Sequence, residues 1–136
     1  EGPDMTYKLI VGTDSQLRED EVNFVTAIII HRVGKGARYF YHRQKIHNIY
    51  SLRQKIFYET SLSLEIASRI AGKLAATGLD EQFDLLNVEI HLDVGQEGRT
   101  KELIREVIGM VAGSGFSPRI KPDSYGASKV ADKYTK

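Results

Sequence analysis

Three carboxylates stand where the surrounding residues are otherwise apolar. In "YKLIVGTDSQ" the run Leu9, Ile10 and Val11 ends on Asp14, between Thr13 and the pair Ser15 and Gln16. In "VEIHLDVG" a second apolar-rich run ends on Asp93. Glu59 lies in a long helical pattern. At about 100° per residue with Ile56 as zero, it falls near −60°, inside the stripe of Leu52, Ser63, Ala67, Ile70 and Leu74. Glu65 falls near 180° on the same scale, about opposite, and is assigned to solvent. The plainer reading makes each strand-end aspartate a turn former or cap and Glu59 a hydrogen-bonded acid at the margin of the stripe. The sharper reading brings all three together. Crowded carboxylates repel, so either a pKa rises or a cation binds. Oxygen-only ligation favours a hard ion such as Mg²⁺ or Mn²⁺. Two such ions about 4 Å apart can activate a water and stabilise the leaving oxygen of a phosphodiester. A zinc site fits less well, because His31, His42, His47 and His91 show neither HxxxH nor HxH spacing.

A fourth acid would come from "KPDSYGASKVADKYTK". Asp132 shares a helix face with Ser128 and is the preferred ligand. Asp123, after Pro122, reads first as a helix cap and is the alternative. Lys129 and Lys133 flank this position and could meet substrate phosphates, as could Ser15 and Gln16 beside Asp14. Solvated lysines remain the simpler explanation.

The elements that must position these residues follow in the order β-β-β-α-β-α-β-α. Strands are expected at Tyr7–Thr13, Val22–Val33 and Ala37–Ile46. Gly34, Lys35 and Gly36 join the second and third as a hairpin. The third strand is rich in Tyr, His and Arg and reads as a half-exposed edge. A helix from Ser51 to Thr77 is capped by Ser51 and stopped by Gly78. A strand at Leu86–Val94 precedes a helix at Thr100–Ala112 with the stripe Leu103, Ile104, Val107, Ile108 and Val111. A short edge strand at Pro118–Lys121 and a last helix from near Ser124 complete the chain. Short turns make the first three strands antiparallel, and helical crossovers make the later ones parallel. With the fourth strand beside the first, the carboxyl ends of these two form a topological switch point. The expectation is one α/β domain over 1–136, a five-stranded mixed sheet flanked by helices.

Composition agrees with a single globular domain. The 136 residues are 41% hydrophobic and 27% charged, with net charge +1, enough to bury a core. There is no cysteine, hence no disulfide framework or thiolate metal site. No apolar run is long enough to span a bilayer, and no basic, apolar leader opens the chain. A cytoplasmic protein with no membrane partner is the expectation.

The stretches "IVGTDSQ", "HLDVGQEGRTKELI" with "EVIGMVAGSGF", and "IKPDSYGASKVADKYTK" together resemble the YkuK-type family of predicted ribonuclease-H-like proteins. The resemblance covers nearly the whole chain. It implies a ribonuclease H-like fold with the first strand central, and an acidic divalent-metal site by analogy with ribonuclease H and the resolvase and integrase nucleases. Carried onto this chain, the acids are Asp14, Glu59, Asp93 and Asp132. The extra basic arm with which many ribonuclease H enzymes grip hybrids has no counterpart here. The expected function is a metal-dependent nuclease acting on RNA, a hybrid or structured DNA. The alternative is a non-catalytic module that binds nucleic acid or protein, with Arg38, Tyr39, Tyr41 and Arg43 as contacts. Sugar-kinase-like and actin-like ATPases share the sheet order but need a duplicated domain that 136 residues do not supply.

Overall fold

The apolar run of Leu9, Ile10 and Val11 starts a strand, β1 (Tyr7–Arg18), and the dense β-branched run of Glu21–Arg32 makes its partner, β2. A computed structural model describes residues 7–32, 36–77, 83–93 and 101–120. Beyond β1 and β2 it contains β3 (Gly36–His47), α1 (Leu52–Thr77), β4 (Phe83–His91), α2 (Lys101–Gly113) and β5 (Ser117–Arg119). The five strands form one sheet in the order β3-β2-β1-β4-β5. The pairs β1–β2 and β2–β3 are antiparallel, and β1–β4 and β4–β5 are parallel. This is the expected mixed sheet with β1 at its centre and β3 and β5 at its edges. The expected last helix, with Asp123, Lys129, Asp132 and Lys133, lies outside the described residues.

One boundary differs in a way that matters. β1 does not stop at Thr13 but runs on to Arg18, because the tight turn at Glu19 and Asp20 lets β2 pair with it down to Arg18↔Glu21. Glu19 takes the positive φ, 56°, that such a turn demands. Asp14 therefore lies inside a strand, not at its end. β4, by contrast, pairs with β1 only as far as Gly12↔His91. Beyond that point the β1–β2–β3 ribbon continues without β4.

Helix α1 begins with a reciprocal cap. The Gln54 backbone N–H donates to Ser51 Oγ at 3.1 Å, and the Ser51 N–H donates to Gln54 Oε1 at 3.1 Å. Its stripe of Ile56, Glu59, Thr60, Ser63 and Ala67 is buried against the sheet, whereas Leu52, expected in that stripe, is 53% exposed in the first turn. The side chain of Leu74 lies outside the described residues. Helix α2 buries Leu103, Ile104, Val107 and Val111 as its spacing predicts. It closes on Gly115, whose φ of 89° suits a residue without Cβ. Phe116 N–H donates to the Val111 carbonyl and Gly115 N–H to that of Ala112, the paired bonds of a Schellman stop.

The helices cover one face of the sheet. Leu9 and Val11 of β1 and Val88 and Ile90 of β4 pack there with Ile56, Ala67, Val107 and Val111. The opposite face buries Val25, Ala27 and Ile29, with Ile10 against them. Ile90 is fully buried where these elements meet. Ile90→Ala is expected to cost about 2–5 kcal/mol of stability, read as a lower urea midpoint with an unchanged slope.

Candidate functional site

The face of β1 that meets α1 changes character along its length. Leu9 and Val11 are apolar, and the next two residues on that face are Thr13 and Ser15. Thr13 Oγ1 lies 2.7 Å from Ser63 Oγ of α1 and 2.8 Å from Thr26 Oγ1 of β2, and all three hydroxyls are buried. Ser15 Oγ donates to Glu59 Oε2. The spacing explains why both contacts form. Four helical residues rise about 6 Å, and two strand residues span about 6.8 Å. Glu59 and Ser63 therefore stand over Ser15 and Thr13 in turn.

Glu59 is only 7% exposed. Burial is the main reason that its carboxyl is pushed up to about 8; Asp14 and Asp93 add to the effect, while Ser15 and Lys55 oppose it. Two of the acids singled out in the sequence, Asp14 and Asp93, thus act electrostatically on the third. Their placement is not the simple convergence expected from two strand tips. Asp14 pairs with Val25 across the ladder, while its neighbour Thr13 pairs with Thr26 under α1. Alternation sends Asp14 to the face away from the helix. Asp93 follows two residues after β4 and is half-buried. Because β4 has ended, no strand among the described residues flanks β1 on that side at this level, and groups from the two faces approach around the rim. A narrow cleft there is lined by Thr13, Glu59, Thr60, Ser63, His91 and Asp93. Among the described residues no three His, Asp or Glu side chains stand close enough together to hold a metal ion.

Gln16 is half-buried in the overhanging part of β1, and Ser15, a candidate substrate contact, has its hydroxyl on Glu59. Glu65 is exposed and pairs with Arg69 at 2.6 Å, as its position on the helix predicts. His91 is buried, with Nε2 3.0 Å from Glu89 Oε1. Desolvation holds its pKa below the usual value despite that carboxylate. Burial also works against ionisation of Glu89, but His91, Lys8 at 2.9 Å and Arg119 outweigh it and hold the carboxyl below its usual range. Sequence reasoning did not single out this cluster or the Thr13–Thr26–Ser63 hydroxyls. The available signals were hydroxyl residues two apart at the end of an apolar strand face, and a serine inside a buried helical stripe.

A family model described as "Ribonuclease H-like" matches residues 1–136. The chain is 41% identical to "Uncharacterized protein YkuK" of Bacillus subtilis (strain 168) over 144 residues, covering 98% of this chain and 82% of that protein. It belongs to the YkuK-type ribonuclease H-like family. Among solved structures, LC11-RNase H1 in complex with an RNA/DNA hybrid aligns with TM-score 0.41 and 14% identity, over 93% of this chain and 95% of the other.

The raised carboxyl has a measurable signature. The folded chain keeps the Glu59 proton up to about pH 8, whereas the ordinary value is 4.5. Within that window the folded state binds more protons than the unfolded one, so the stabilising contribution is complete below it and is lost as pH rises through it. In metal-free buffer the wild-type urea midpoint is expected to fall between about pH 5 and pH 8, and Glu59→Gln to give a flatter profile. Equal slopes for the two chains would contradict the assignment.

Proposed function

We propose that this chain is a metal-dependent nuclease, with a carboxylate site of Asp14, Glu59 and Asp93 at the rim where β4 ends. The single observation that supports the reading is the buried Glu59 carboxyl, whose ionisation Asp14 and Asp93 both disfavour. A buried acid that resists losing its proton, with two further carboxylates acting on it, is donor chemistry suited to a hard divalent cation, which would favour its ionised form. Asp14, Glu59 and Asp93 would hold Mg²⁺ or Mn²⁺, with Asp132, outside the described residues, as the fourth ligand. Such ions, when bound, would supply an acidified water and charge neutralisation at a phosphodiester. Ser15 holds the Glu59 carboxyl by its Oε2 and so orients the remaining oxygen. The buried hydroxyls of Thr13, Thr26 and Ser63 fix α1 over β1 and keep that orientation. Gln16, Lys129 and Lys133 are the proposed contacts to RNA, hybrid or structured DNA.

A second reading is a binding module without turnover. It is favoured by one observation: among the described residues no three potential ligands are close enough to share an ion. Labelled RNA, RNA/DNA hybrid and branched DNA incubated with Mn²⁺, Mg²⁺ or EDTA separate the two. The nuclease reading expects metal-dependent cleavage of at least one substrate, and Asp14→Asn or Asp93→Asn to slow it on the order of 100-fold or more. Binding without cleavage in any metal, or equal cleavage by the variants, leaves the binding module.

A further inference from the structure

β3 is unusual among the strands. It is an edge strand of twelve residues, exposed at all but Gln44 and Ile46. It contains no acidic residue, and it carries Arg38, Arg43 and Lys45. Its large apolar side chains are not sheltered: Tyr39 is 60% and Tyr41 50% exposed. The ladder says which of these act together. The rows Gly12–Ala27–Tyr41 and Asp14–Val25–Arg43 run straight across β1, β2 and β3. Tyr39, Tyr41, Arg43 and Lys45 therefore share the face on which Asp14 lies, and Arg38, Phe40 and His42 take the other. Two strand spacings separate Arg43 from Asp14, about 10 Å.

We propose that this face of β3 is a platform for single-stranded nucleic acid. Two features of the strip select the occupant. Positive charge without acidic residues on the strand complements a polyanion, and the Arg43 guanidinium lies 5.5 Å from the centre of the Tyr41 ring, joining charge to a stacking surface. Lys45 pairs with Glu21 at 3.6 Å, and Arg43 and Lys45 are together the proposed phosphate contacts. The tyrosines decide between strand and duplex. Two residues apart on one face, they are spaced by about 6.8 Å, twice the roughly 3.4 Å step per strand of a duplex. Whether each ring stacks on one base or the two clamp a single base, that base has left its duplex stack. The binding does not rest on the nuclease reading.

The test is fluorescence anisotropy with labelled single-stranded oligonucleotides and the matching duplex, in EDTA so that no cleavage is read. Single strand is expected to bind more tightly than duplex. Tyr39→Ala and Tyr41→Ala each weaken it at least about fivefold, the low end of one stacked base. Tyr39→Phe and Tyr41→Phe keep the ring and bind like wild type. Arg43→Gln lowers the log–log salt slope by about 0.7, and Phe40→Ala, on the other face, changes nothing. Preference for duplex, or alanine variants that are folded by circular dichroism and bind like wild type, overturns the platform. So does light scattering that shows the same alanine variants to break a dimer while oligonucleotide binding persists, since the strand is then an interface between copies. Binding as predicted with no cleavage in Mn²⁺ keeps the platform and rejects the nuclease.

Discussion

A glutamate is placed between a helix and a sheet, and the rest of the site depends on how that acid is accommodated. An ionised carboxylate in such a position is costly unless charge or hydrogen bonds compensate it. The chain provides Ser15 directly beneath Glu59 and a raised pKa. One turn along the helix, Ser63 meets Thr13 in the same way. These polar pairs also fix register. Sliding α1 by one turn would set Ser63 on Val11 and lose both bonds, whereas apolar contacts alone tolerate such shifts. The apolar core supplies cohesion, and the hydroxyl–carboxyl ladder determines where along β1 the helix sits.

The second constraint is a mismatch of strand lengths. β1 continues past the last residue it shares with β4, still paired with β2. That overhang creates the rim. Had β4 continued alongside, its backbone would stand between the face that carries Asp14 and the helix that carries Glu59. The buried Glu89 cluster with His91, Lys8 and Arg119 lies just before this point. It anchors the last residues of β4 from which Asp93 emerges.

Much of this was legible in the sequence because the relevant signals are local. Helical stripes, the Ser51 cap, the glycines after α2 and the dense β-branched run of β2 each state their element, and short turns against long crossovers state strand direction. The position of Glu59 in a buried stripe was equally readable. The true end of β1 was not. Asp14, Ser15 and Gln16 have the composition of a turn, and only pairing with β2, a tertiary contact, makes them strand. That error concealed the face alternation, so Asp14 was expected beside Glu59 where the two in fact approach from opposite faces. Leu52 fits the stripe by angle and is exposed because it lies in the first helical turn, which periodicity does not reveal.

The outer margin of β3 has a bearing on crowding. An unpaired edge offers its backbone to any other extended chain, and proteins commonly discourage such annealing with cationic side chains. Here Arg38, Arg43 and Lys45 fill that role, since two such margins brought together would set like charges against each other. The protection is electrostatic and therefore conditional. Concentrated salt screens it, and a dense polyanion neutralises it, leaving the exposed tyrosine faces open to self-stacking.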